Sequence, residues 1–111
     1  MAKAKTIRLE ISDSGIRHDA EERSLIERLQ GGDQAAFQTL WRRVERRVTG
    51  TANRMLRNGP EVDDVVSYVA QKVWGKISSF RFESSFSTWV CRIAVRRCLT
   101  ELGRRKRNQE R

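Results

Sequence analysis

From Asp19 onward the apolar residues recur every three or four positions, the spacing of helices with one buried face. Leu25, Ile26 and Leu29 predict a short helix closed by Gly31-Gly32, and Asp33 is placed to cap the next one. That second helix carries Phe37, Leu40, Trp41, Val44, Val48, Ala52, Met55 and Leu56 on its stripe, and Asn58-Gly59-Pro60 stops it. A third helix is expected from about Glu61 to Lys76, with Val62, Val65, Val66, Val69, Val73 and Trp74 inward. Valine is a weak helix former, but spacing and length favour a helix over a strand. Its first turn holds Glu61, Asp63 and Asp64, which suit the positive end of the helix dipole.

Ser78 to Ser87 reads as a loop dense in serine and phenylalanine. The last helix is expected to start near Ser87 or Thr88, to bury Trp89, Val90, Ile93, Ala94, Leu99 and Leu102, and to end at Gly103 and the basic run behind it. The pattern therefore predicts an all-α fold: a compact bundle of about four helices over residues 19–103, with a functional loop before the last helix. Residues 1–18 read as an extension, flexible or strand-like, because Ile7, Leu9 and Ile11 alternate with polar residues; a strand there needs a partner. Residues 104–111 read as the start of a basic linker.

Composition narrows the function. A chain of 111 residues with 38% hydrophobic content makes one domain with a modest core. No run approaches the roughly 18 apolar residues of a membrane span, and no signal-peptide core follows the first residues. Cys91 and Cys98 lie about two helical turns (~10 Å) apart, too far for a disulfide, and read as small buried hydrophobes. The single histidine, His18, is remote from both, which argues against a zinc cluster. The expectation is a soluble, reduced, cytoplasmic protein without metal or cofactor.

The net charge is +9, and residues 92–111 hold eight basic side chains against two acidic ones. Such a run is either a solvated tail or a footprint for phosphate. Arg92, Arg96 and Arg97 interleave with an apolar helix face, which favours phosphate. The preceding loop sets Phe80, Phe82 and Phe86 among Ser84, Ser85 and Ser87. Unstacked bases lie on aromatic rings while hydroxyls and amides bond their edges. The plainer reading tucks Phe80 and Phe86 onto the core and leaves Phe82, between Arg81 and Glu83, the more exposed. Trp41 and Trp74 read as core; Trp89 stands between packing and nucleic-acid contact.

The run Phe80-Arg81-Phe82-Glu83-Ser84-Ser85-Phe86-Ser87-Thr88-Trp89-Val90-Cys91-Arg92-Ile93-Ala94 resembles the promoter-melting segment of the extracytoplasmic-function sigma factors, of the sigma-70 family. Gly32 to Leu40 resembles their first conserved helix, and Asp63-Asp64-Val65-Val66 through Val73-Trp74 their polymerase-binding helix. The resemblance runs from about Ser24 to Arg107, with three blocks in order. It implies a region 2 domain, not an enzyme, that binds core RNA polymerase through the β′ clamp helices and recognises and melts the promoter −10 element for transcription initiation. Carried over by position, Asp63, Asp64 and Gln71 would face the polymerase. Arg81, Phe82, Ser84, Ser85 and Phe86 would line a pocket for a flipped base of the non-template strand. Trp89 would sit at the upstream fork, with Arg92, Arg96 and Arg97 along the DNA.

Departures from that family's pattern are local. Ser67-Tyr68 replaces a usual Gln-Glu, Phe82 a common glycine, and Arg96 a frequent asparagine; arginine there favours guanine edges or phosphate. The second helical domain that such factors carry for the −35 element is not in this sequence, and the linker-like ending favours a fragment cut at the domain boundary. Two other readings compete. One is a sigma-like interaction module held by an anti-sigma factor or another targeting partner, through segment 7–11, the third helix or the basic face. The other is a Mg²⁺-dependent nuclease built on Glu61, Asp63 and Asp64, which no candidate base or nucleophile accompanies.

Overall fold

A computed structural model of the chain describes residues 9–11 and 17–110. Two three-residue strands, β1 (Leu9–Ile11) and β2 (Arg17–Asp19), pair antiparallel with Leu9 opposite Asp19 and Ile11 opposite Arg17. The rest of the alternating segment, Ile7 included, lies outside the described residues. Four helices follow: α1 (Ala20–Gln30), α2 (Gln34–Leu56), α3 (Val62–Lys76) and α4 (Phe86–Gln109), with a single 3₁₀ turn, Ile77–Ser79, after α3. The bundle is all-α, as the periodicity predicts.

The helix starts follow from short polar side chains. Asp19 accepts from the amides of Glu21 (2.7 Å) and Glu22 (3.3 Å), satisfying donors that have no partner inside α1. Asp33 does the same for Ala35 (2.9 Å) and Ala36 (3.3 Å), and Arg28 donates to its second oxygen at 2.9 Å. Arg28 and those amides together hold the Asp33 carboxyl below the usual carboxylate range. At the end of α2, Arg57 and Asn58 both take left-handed backbone (φ 53° and 55°) and turn the chain into α3.

The long helix α2 is the spine, and α1, α3 and α4 all pack against it. Ile26 and Leu29, Leu40, Val48 and Leu56, Val65, Val69 and Val73, and Phe86, Val90 and Cys98 close the core between them. Two residues expected there are not in it. Trp74 is 40% exposed, set edge-on against Phe37 at 5.6 Å, while Phe37 stacks on the half-buried Trp41 at 6.1 Å. Leu99 is 57% exposed. The buried positions of α4 run 86, 90, 94 and 98, so Cys98 takes the inward place and its neighbour turns to solvent.

The boundaries of α4 also differ from expectation. It begins at Phe86, because the Ser85 hydroxyl caps it by accepting from the Thr88 amide at 3.0 Å. It does not stop at Gly103 but continues through the basic run to Gln109. Arg105 holds it, donating to both Glu61 oxygens (2.6 and 2.5 Å) and to the Leu56 carbonyl (3.0 Å). Glu101 meanwhile pairs with Arg97 and Arg104 along the helix. Gly59 lies directly under this lock; a Cβ there would meet the Arg105 guanidinium and the Glu61 carboxylate, so a larger residue would push the two side chains aside.

Hydrogen bonds from Arg105 pull the Glu61 carboxyl from its ordinary 4.5 down to about 2. A carboxyl lowered on folding adds stability that is complete above its unfolded value and is lost as pH falls toward the folded one. Backbone chemical shifts of residues 103–109 are therefore expected to lose helical character between about pH 4.5 and 2. Glu61→Gln is expected to fray the same residues at neutral pH and to leave the shifts of α2 unchanged.

Candidate functional site

The connection between α3 and α4 is short, and its fixed points are side chains from elsewhere in the bundle. The Gln30 amide donates to the carbonyls of Ile77 and Phe80, both at 3.0 Å, and so pins the loop to the end of α1. Phe80 turns its ring inward against Phe86 (6.1 Å, edge-on) and Trp89 (5.2 Å). Phe82 follows at left-handed φ of 58° and packs on Phe80 at 5.0 Å. On the far side of α4's first turn, Arg47 donates to the Ser87 hydroxyl at 2.7 Å and ties α2 to the helix start.

Between loop and helix lies a recess of about 160 Å³ lined by Ser79, Phe80, Arg81, Glu83, Ser84, Trp89 and Arg92. Its walls are two aromatic rings. The Ser79 and Ser84 hydroxyls donate to the carbonyls of Lys76 (2.7 Å) and Ser85 (3.1 Å) and so offer acceptor lone pairs, as the Glu83 carboxylate does, while the Arg81 and Arg92 guanidiniums supply the donors. Among the described residues Arg81 and Arg92 make no ion pair, and neither does Arg96. Their charge remains available to an anion.

The expected pocket residues divide. Arg81, Ser84, Trp89 and Arg92 meet at the recess. Phe82 stands behind the Phe80 ring and outside the lining. Ser85 is spent on the helix cap, its hydroxyl also donating to the Thr88 hydroxyl at 2.8 Å. Phe86 is buried beneath, 2% exposed. Ser79, Phe80 and Glu83 line the recess without having been singled out for it. The aromatic-serine composition marks the segment, but which ring faces the opening depends on the loop's dihedral angles.

Arg92 also borders an apolar depression with Arg47, Thr88, Cys91, Val95 and Arg96. Arg96 in turn borders a groove between α3 and α4 with Tyr68, Lys72, Lys76, Ile93, Arg97 and Thr100. The recesses thus share arginines along α4, which makes one basic face. Arg97 is less accessible than its neighbours: its guanidinium lies 4.3 Å above the Tyr68 ring, and Glu101 pairs with it at 3.2 Å.

On α3 the exposed residues Asp63, Asp64, Ser67, Gln71 and Trp74 form one stripe, with Asp64 and Gln71 two turns apart on it. Tyr68 leaves the stripe and faces α4. Glu61 is taken by Arg105, which separates it from Asp63 and Asp64. Among the described residues no group of three or more His, Cys, Asp or Glu side chains could hold a metal ion, and no helix is long and apolar enough to cross a membrane.

The sigma-70 region 2 family matches residues 34–108. The ECF RNA polymerase sigma-E factor of Haemophilus influenzae is 39% identical over 92 residues, covering 80% of this chain and 48% of that protein. The ECF RNA polymerase sigma-E factor of Escherichia coli K12 is 42% identical over 71 residues, 64% of this chain and 37% of that one. The chain spans about half or less of the length of these relatives. A solved complex of an engineered region 2 of sigmaE with GTAAAA superimposes with a TM-score of 0.71 at 34% identity, over 81% of this chain and 94% of that one.

Proposed function

Because the chain belongs to the sigma-70 region 2 family, we propose that it is the part of an extracytoplasmic-function sigma factor that docks on core RNA polymerase and recognises and melts the promoter −10 element. Melting needs no covalent step. It needs a surface that binds separated strands better than paired ones, so that binding itself shifts the equilibrium toward the open state. No catalytic group is called for, and the role is exercised in the cytoplasm, where the polymerase works.

The observation that carries this reading is the recess at the head of the basic helix. An unstacked base of the non-template strand fits into the recess against the half-buried Trp89, which offers a stacking surface, while Phe80, packed on Trp89 at 5.2 Å, adds apolar contact beneath. Ser79, Ser84 and Glu83 are positioned to meet the base edge, with Glu83 accepting from an exocyclic amine. Arg81, Arg92 and Arg96 hold the flanking phosphates, which orient the strand without reading it. A relative of the same fold has been solved with GTAAAA, which supports single-stranded DNA as the ligand.

The acidic stripe of α3, with Asp63, Asp64 and Gln71 exposed together, is the docking surface for the β′ clamp helices. Pull-down on purified bacterial core RNA polymerase tests it. Wild type is expected to be captured, and Asp64→Ala to lose roughly tenfold in affinity, the effect of one charged contact of about 1.4 kcal/mol. Its affinity for single-stranded DNA should stay within about twofold of wild type, because the stripe lies away from the recess. Failure of wild type to bind would refute the polymerase reading and leave an interaction module with another partner.

A further inference from the structure

We infer that Arg23 of α1 is a positioning residue for the base recess, acting through Phe82; the inference rests on the reading of that recess given above. Phe82 occupies a backbone conformation, φ 58°, that glycine adopts readily and a bulky residue seldom does. Packing of its ring holds it there. Its ring lies against Phe80 at 5.0 Å, and the Arg23 guanidinium covers it at 4.1 Å from the centroid.

Arg23 is itself aimed. Its Nε donates to Glu27 one turn along α1 at 3.3 Å, which orients the guanidinium over the ring. Near the other end of the same helix, Gln30 grips the Ile77 and Phe80 carbonyls. So α1 holds the loop through its backbone at Gln30 and through a side-chain stack at Arg23.

The stack reaches the site. Phe80 lines the recess and supports Trp89, which also lines it, at 5.2 Å. Contact therefore passes from Arg23 to Phe82, from Phe82 to Phe80, and from Phe80 to the space a base would fill. Neither Arg23 nor Phe82 lines that space. Their effect is to fix the wall before the strand arrives, so that ordering the loop is not charged against binding. Arginine suits the role because a flat cation lies well on a ring face.

A direct phosphate contact by Arg23 would also weaken binding when removed, and the salt dependence separates the two. The probe is a labelled single-stranded DNA carrying GTAAAA, titrated across salt concentrations with the full chain, whose folding is monitored by thermal denaturation. Arg23→Ala is expected to weaken binding about fivefold, as for loss of a partly desolvated cation–ring contact, with the slope of log K against log salt unchanged. In a Phe82→Gly background the same substitution should have no further effect. Arg23→Lys, which keeps a cation over the ring, should stay within about twofold of wild type.

Unchanged affinity in Arg23→Ala overturns the inference. So does an equal loss in the Phe82→Gly background, which would mean that Arg23 acts without Phe82. A slope reduced by about one unit makes Arg23 a phosphate ligand instead and overturns it too. If wild type fails to bind the probe at low salt, the recess is not a base site and both readings fall; if wild type binds and the variants behave alike, only this one does.

Discussion

Phe86→Ala is expected to destabilise the domain by about 3–5 kcal/mol, the usual range for emptying a buried phenylalanine site. The ring is 2% exposed and sits where the first turn of α4 meets the loop, with Phe80 and Trp89 both 6.1 Å from it. Those neighbours cannot collapse into the gap. Phe80 is held by the Gln30 bond to its carbonyl, and α4 is fixed by the Ser85 cap. Small domains carry only about 5–15 kcal/mol in total, so the loss is a large fraction of what folding yields. Urea unfolding followed by circular dichroism measures it, and the midpoint should fall by about 2 M. Phe86→Leu keeps most of the volume and should cost less than about 1.5 kcal/mol. A change under 1 kcal/mol in the alanine variant would mean that the ring is not part of the core.

Trp89→Ala should act on binding more than on folding. Trp89 is half-buried, packed at a tilt on Phe80 and Phe86 while lining the recess. Loss of a stacking wall costs about 1–3 kcal/mol per base, roughly 5- to 150-fold in Kd. The loss should fall on single-stranded DNA and spare duplex DNA, where bases stay stacked and the basic face of α4 meets phosphates alone. Trp89→Phe, which retains a ring, should recover most of the affinity. Fluorescence anisotropy with matched single- and double-stranded probes decides it: equal losses on both would place Trp89 in the fold and not at the base.

Much of this architecture is legible in the sequence because the signals are local. Asp33 caps α2 as its position before an apolar-periodic run implies, and Asn58-Gly59-Pro60 does end that helix. The segment from Phe80 to Ala94 carries the family resemblance, and the sigma-70 region 2 match includes it. Errors arise where a distant residue decides. Gly103 and a run of like charges look like a helix end, yet Arg105 finds Glu61, 44 residues away, and the helix continues. Serine at 85 differs for a local reason: its hydroxyl caps α4 by accepting from the Thr88 amide three residues on.

Phe82 shows the same division more sharply. Flanked by charges, it reads as an exposed ring available for stacking. In the fold its left-handed backbone turns it back onto Phe80 and beneath Arg23, a residue 59 positions away. Tyr68 behaves likewise: the family resemblance leads one to expect a carboxylate there, but the ring lies against Arg97 in the groove between α3 and α4.

What the sequence by itself determined is the set of helices, most of their buried faces, the basic end and the family, because periodicity, caps and charge are properties of neighbours along the chain. Only the tertiary structure decided which ring faces the recess, which arginines are held by other groups and where α4 stops. Most of those outcomes turn on single contacts between residues far apart in sequence, such as Arg105 with Glu61 and Arg23 with Phe82, and a local pattern carries no information about which of several equivalent partners a side chain will reach.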